Sequence, residues 1–343
     1  MKKISSENNQ ITDIFKLFYD VQPSSFETIN TSHGDSDFRE VILVKDECGK
    51  NYVIKLADND FTFPDKISMW QRTAEEYCKS GYFCPKIFCD KTGKFPIISY
   101  KGRNCVAYAE EYSSYRSADS FKLSEDEIRE YEKCKWIMTA KIASKYFDYT
   151  NFPSGYCMFE KFCPSDESDE VLENALEWYR CAKSLPSKFQ EQIDRIWFLW
   201  NQNRQALKPL YKQLPTSVFQ ADLNPTNILL DDHGKFVGVY DMNLCGKDVF
   251  INYLMRENYN VDFEKEIDMI FNALKTATFH YRFSDMEKQT ILMLYRCIKP
   301  IWYNRVQRLK SLEDNTREIH DFLNETEMYL TKPIDFTKYM QTP

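Results

Sequence analysis

The chain has 343 residues, a formal net charge of −7 and 43% hydrophobic residues. That apolar share supports a sizeable core and excludes wholesale disorder, and the length suits two domains or one large two-lobed one at roughly 100–200 residues per domain. The acidic balance, with no Lys/Arg block, excludes nucleic-acid binding as the main activity and suits a cationic small molecule better.

Apolar runs such as Ile196–Trp200 are far shorter than the roughly 20 residues a membrane helix needs, so no membrane association is expected. The N-terminal stretch Met1–Asn9 begins with Met-Lys-Lys and turns polar, without the apolar run of a signal peptide. The 11 cysteines contain no C-x-x-C pair, and the 4 histidines are scattered. Both facts read as reduced thiols in a cytoplasmic protein without a His/Cys metal site.

In chain order, Thr31–Asp37 is a polar loop with one glycine. Phe38–Lys45 and Asn51–Leu56 are apolar, β-branched runs around the turn signal Asp46-Glu47-Cys48-Gly49-Lys50, which predicts a hairpin. Helical spacing of Ile67, Trp70, Ala74 and Tyr77 predicts a helix over 67–80, stopped at Gly81. Phe95–Tyr100 and Cys105–Glu110 form a second hairpin around Lys101–Asn104. Ser124 and Glu127 make a capping-box start for a helix running towards Tyr146. Helical stripes follow over 171–182, 190–213, 262–278 and 284–309, the last with an expected bend at Pro300. The expected fold class is α+β, with an N-terminal antiparallel sheet plus helix over 1–112 and a mainly helical part over 113–343.

One strand-like island interrupts the helical part, Val218-Phe219-Gln220-Ala221-Asp222-Leu223-Asn224-Pro225-Thr226-Asn227-Ile228-Leu229-Leu230. A D-D-H-G turn and a second strand lead from it to Asp241. Phosphoryl transfer from Mg-ATP uses this set of groups. One carboxylate orients the acceptor hydroxyl and takes its proton, while an Asn oxygen and a second carboxylate hold Mg²⁺, a hard ion that wants oxygen ligands. A tight hairpin between Asn227 and Asp241 returns the second ligand beside the first. The structural alternative is an ordinary hairpin whose Asp and Asn residues are caps. Against it, the D-x-x-x-x-N spacing, the hairpin, the closing Asp and an upstream strand–Lys–helix unit coincide.

The segment resembles the aminoglycoside phosphotransferase-type branch of the protein-kinase-like fold, whose pattern runs H-G-D-x-H-x-x-N-I-L, a hairpin, then I-D-[FW]. The likeness is close over 217–257, and the lobe order agrees over most of the chain. It implies two lobes with ATP between them and transfer of the γ-phosphate to a hydroxyl of a small-molecule acceptor. It places Asp222 at the catalytic base, Asn227 at a Mg²⁺ ligand and Asp241 at the metal-binding Asp. The family's His-Gly is Gln220-Ala221 here, its second His is Asn224, and the Gly before the Asn is Thr226.

Tyr52-Val53-Ile54-Lys55-Leu56 resembles the V-A-I-K strand, whose Lys contacts the α- and β-phosphates. Its acidic partner stays open. Glu75 and Glu76 are available on the next helix, although the family's Glu position falls near Trp70. The phosphate-covering loop would be Ser32–Ser36, contacting through backbone N–H groups around Gly34. Backbone groups at Glu110, Glu111 and Tyr112 would meet the adenine edge.

The function implied is ATP- and Mg²⁺-dependent phosphorylation of an aminoglycoside, choline-like or amino-alcohol hydroxyl, or of a sugar. The alternative, supported by Gln220-Ala221, is a catalytically weak or inactive kinase-like nucleotide-binding scaffold. Protein phosphorylation is disfavoured because no A-P-E-like segment follows Asp241.

Overall fold

The computed structural model describes residues 2–312 and 315–341. Met1, where the N-terminal stretch begins, and residues 342–343, where the expected helical part ends, lie outside the described residues. The chain divides into two compact units: Met1–Ser124, Cys163–Ser165 and Pro225–Asn243 form one, and Glu125–Phe162, Asp166–Asn224 and Leu244–Pro343 the other.

The first unit opens with helix α1 (Lys2–Phe18) and contains strands β1 (Pro23–Asn30), β2 (Phe38–Asp46) and β3 (Asn51–Asp58), helix α2 (Pro64–Lys79), and strands β4 (Ile87–Phe88), β5 (Ile97–Tyr100), β6 (Arg103–Glu110) and β7 (Arg116–Ser117). The main sheet runs β1-β2-β3-β6-β4, with β5 also on β6, and every pairing is antiparallel. Successive strand residues point to opposite faces. Ile42 and Val44, Ile54 and Leu56, and Cys105, Ala107 and Ala109 therefore share one face. There they form a core cluster with Ile11, Ile14, Phe15 and Phe18 of α1. Val53, Lys55, Tyr108 and Glu110 are left for the other face. The register sets Lys55 opposite Tyr108 and Val53 opposite Glu110.

The hairpin β9 (Ile228–Leu230) and β10 (Phe236–Val239) belongs to the same unit, in a small sheet ordered β10-β9-β7. Phe83, just after α2, holds it. Its N–H donates to the Val237 carbonyl and its carbonyl accepts from Val239 N–H, both at 2.9 Å. Gly238 lies in this contact, and a Cβ there would stand 1.8 Å from the Phe83 oxygen. Only glycine admits so close a backbone approach.

The second unit holds α3 (Glu125–Ala143), α4 (Glu170–Lys183), α5 (Gln190–Tyr211), β8 (Thr216–Phe219), β11 (Gly246–Val249), α6 (Phe250–Glu257), α7 (Phe263–Ala277), α8 (Asp285–Ile298), α9 (Tyr303–Ser311) and α10 (Thr316–Thr331). Side-chain caps start several of them. Asp169 accepts from Leu172 N–H, Asp262 from Lys265 N–H, and Asn315 from Arg317 and Glu318 N–H; Ser284 and Glu287 form a reciprocal box. The expected bend at Pro300 is a break instead. A 3₁₀ turn over Lys299–Ile301 separates α8 from α9, because proline removes the N–H that a continuous helix needs there.

β8 and β11 pair antiparallel and frame the segment that leads into Asp222. Asp248 of β11 is fully buried. Its carboxylate accepts from Ser154 Oγ at 2.7 Å, Tyr211 Oη at 3.1 Å and Asn252 Nδ2 at 3.1 Å, so the burial is matched by hydrogen bonds. All 11 cysteines are free thiols. Among the described residues no helix is long and apolar enough to cross a membrane.

Candidate active site

A cavity of about 430 Å³ opens on the sheet face away from α1. Val53, Lys55, Tyr108 and Glu110 form its floor, Glu111 and Tyr112 follow at the end of β6, and Tyr240 and Asp241 close it from the hairpin. Every one of these residues belongs to the first unit.

Lys55 Nζ donates to Glu110 Oε2 at 2.7 Å, and both side chains are largely buried. Burial alone would lower the Lys55 ammonium. The Glu110 carboxylate, with Tyr108 and Asp241, outweighs it and holds Lys55 protonated well above the ordinary lysine range. Burial pushes Glu110 upward against the pull of Lys55. Helix α2 does not provide the partner. Glu75 is exposed and Glu76 pairs with Lys79 at 2.8 Å. Trp70 is buried, with its ring 6.3 Å from that of Tyr108.

The β9–β10 hairpin returns Asp241 alongside Asn227. Ile228 pairs with Val239, and the Asn227 carbonyl accepts from Tyr240 N–H at 3.2 Å. Asn227 is buried, and Asp241 holds a left-handed backbone with φ 60°. Left-handed backbone is uncommon outside glycine, although Asn and Asp tolerate it best, and such conformations cluster at functional sites. Among the described residues no group of three or more His, Cys, Asp or Glu could hold a metal ion. An Asn–Asp pair fits Mg²⁺, which binds through one or two protein oxygens together with substrate phosphates.

The loop between β1 and β2 is a closed turn. His33 N–H donates to the Asp37 carbonyl at 3.1 Å, and Gly34 has φ 117°. Ser32 Oγ is tied back to β2, accepting from Arg39 N–H at 2.9 Å, and Thr31 and His33 are the loop residues that line the cavity. Ser32, Gly34 and Ser36 are not among the lining residues. At the end of β6, the Glu111 N–H is already committed to the Lys86 carbonyl at 2.8 Å.

Asp222 lies in the second unit, after β8. Ala221 and Leu223 are fully buried, which turns the alternate residues Asp222 and Asn224 outward. Both residues that stand where the resembling family has histidines touch Asp222. Gln220 Oε1 accepts from the Asp222 backbone N–H at 3.2 Å, and Asn224 Nδ2 donates to Asp222 Oδ1 at 2.9 Å.

The Asp222 charge also reaches two neighbours that the sequence did not single out. Tyr156 is pushed up by burial, with Arg256 opposing and Asp222 adding. Glu257, at the end of α6, is pushed up to about 7 by burial, with Lys135 opposing and Glu132 and Asp222 adding.

The Glu257 shift sets a pH dependence. A carboxyl with a raised folded pKa binds its proton in the native chain where the unfolded chain has lost it, so stability falls as pH rises from about 4.5 to about 7. Glu257→Gln removes that loss. Its Tm relative to wild type should therefore climb through this window and level off above it. A Tm difference that stays constant from pH 5 to 8.5 would show that Glu257 titrates as an ordinary carboxylate.

No protein-family model and no curated protein matches the sequence. Among solved structures, the chain is similar to a microcompartment-associated aminopropanol kinase, with a TM-score of 0.58 and 11% identity over 94% of this chain and 95% of that one. It is also similar to an amicoumacin kinase in complex with AMP-PNP and Ca²⁺, with a TM-score of 0.54 and 15% identity over 98% of this chain and 99% of that one. The fold is thus the α+β, protein-kinase-like one, with an antiparallel N-terminal sheet and a helical C-terminal part. Both of these structural neighbours are kinases of small molecules.

Proposed function

We propose that the chain is an ATP-dependent phosphotransferase that moves the γ-phosphate to a hydroxyl of a small, cationic acceptor. One observation carries it: the hairpin mouth sets Asn227 beside Asp241 in the unit whose cavity holds Lys55, with Asp222 five residues upstream in the chain. Lys55 would bind the α- and β-phosphates, and Asn227 and Asp241 would hold Mg²⁺. Bound Mg-ATP would supply the phosphoryl group and neutralise charge on it. Asp222, held by Gln220 and Asn224, would orient the acceptor hydroxyl and take its proton. The net charge of −7 supports a cationic acceptor. So do Glu160, Asp166 and Glu173, which line a cavity of about 240 Å³ in the second unit together with Tyr156.

The test has two arms. Millimolar Mg-ATP should raise the Tm, because ligand bound only to the native state stabilises it by mass action. A panel of amino alcohols, aminoglycosides and sugars should then reveal an acceptor-dependent consumption of Mg-ATP. No Tm shift in folded protein sinks the nucleotide reading. Binding without transfer to any acceptor leaves the nucleotide-binding scaffold as the better account.

A further inference from the structure

The reactive lysine of such a site needs a fixed acidic partner, since a four-carbon stem leaves an ammonium free to wander. The sequence leaves that partner open, with Glu75 and Glu76 of α2 as candidates. The structure puts it on the sheet. Glu110 stands on β6, on the same sheet face as Lys55, and its carboxylate accepts from Nζ at 2.7 Å. β3 and β6 are adjacent strands in continuous register from Val53–Glu110 to Ala57–Val106. Both ends of the ion pair are therefore fixed by one hydrogen-bonded ladder. The α2 position nearest the family's acid is an indole, Trp70, packed on Tyr108, and the α2 acids Glu75 and Glu76 are exposed or engaged with Lys79.

We propose that Glu110 is the positioning residue of Lys55, so that the phosphate-binding lysine is set by the sheet itself and not by the placement of α2. This rests on the nucleotide role proposed for Lys55. The pair leaves the other Nζ hydrogens for phosphate oxygens, since an ammonium carries three donors and Glu110 Oε2 takes one. In a site built this way, the acid that sets the lysine does not travel with α2. Glu110 also lines the cavity where β6 ends, so its loss removes a charge from the nucleotide's side of the sheet as well as the anchor of Lys55.

A double-mutant cycle on Mg-ATP affinity, measured by calorimetry, tests this. Lys55→Met and Glu110→Gln should each weaken binding by roughly tenfold, and the double variant should bind no more weakly than Lys55→Met alone, because coupled residues are non-additive. Glu110→Asp, which keeps the charge one methylene shorter, should recover part of the loss and serves if Glu110→Gln does not fold. Glu75→Gln and Glu76→Gln should bind like wild type. Additive losses in the cycle, tighter binding by Glu110→Gln, or a loss in Glu76→Gln equal to that of Lys55→Met each overturn the proposal. Wild type that binds no Mg-ATP overturns the nucleotide role itself, and the Glu110 proposal with it. An additive cycle in a chain that does bind overturns only the Glu110 proposal.

Discussion

Asp222→Asn should lower turnover by at least ~10² while leaving Mg-ATP affinity nearly intact. In phosphoryl transfer most of the catalysis comes from positioning and charge neutralisation, with little covalent work for the protein. A carboxylate beside the acceptor still orients its hydroxyl and takes its proton, and that role is typically worth 10²–10⁴-fold. Asparagine keeps the shape and loses the charge and the basicity. The local structure favours a clean substitution. Gln220 Oε1 accepts from the backbone N–H of residue 222, which the substitution keeps, and the flanking Ala221 and Leu223 are buried.

Asn224 touches the carboxylate itself at 2.9 Å. Asn224→Ala therefore removes one orienting hydrogen bond and should cost less than Asp222→Asn. Single-turnover rates with an acceptor from the panel, beside Mg-ATP affinity for each variant, separate the two effects. Near-normal turnover in Asp222→Asn would remove Asp222 from the chemistry.

Where apolar, β-branched runs met a clear turn signal, the fold was legible. β2 alternates in burial and β3 is a short, mostly buried apolar run, and the turn between them has its own side-chain hydrogen bond, so the sequence placed both. α1 carried its signal in Ile11, Ile14, Phe15 and Phe18, yet its polar first half hid it. α10 has an Asn cap and a stripe from Ile319 to Leu330, but its exposed, charged positions Arg317, Glu318 and Asp321 break up the apolar pattern along the chain. β1 could not be read at all. Its residues are mostly exposed, and Pro and Ser at its start give no period of two.

The site divides in the same way. Asn227 and Asp241 are joined by a short hairpin, so their approach follows from local sequence. The Lys55 partner depends on β3 pairing with β6 across a helix and two intervening strands, a non-local register that spacing along the chain does not reveal. Tyr156 and Glu257 come near Asp222 from segments far from it in sequence, and no motif marks them.

The metal role proposed for Asp241 is best probed with two substitutions that the backbone separates. Residue 241 sits at φ 60°, where a Cβ is strained unless the side chain is Asn or Asp. Asp241→Ala therefore removes a charged oxygen ligand and adds backbone strain, so it should lower both Tm and Mg²⁺-dependent nucleotide binding. Asp241→Asn keeps a side chain that tolerates the left-handed backbone and removes only the charge. It should keep the Tm of wild type and still lose most of the Mg²⁺ dependence of ATP binding, since a hard dication binds an anionic oxygen far better than a neutral one. Asn227→Ala removes a neutral ligand and should weaken Mg²⁺-dependent binding less than either. Titrating Mg²⁺ against ATP affinity for the three variants gives the order directly. If Asp241→Asn keeps the Mg²⁺ dependence of wild type, the hairpin holds no metal ligand at that position, and the left-handed backbone at Asp241 is a turn device without catalytic purpose.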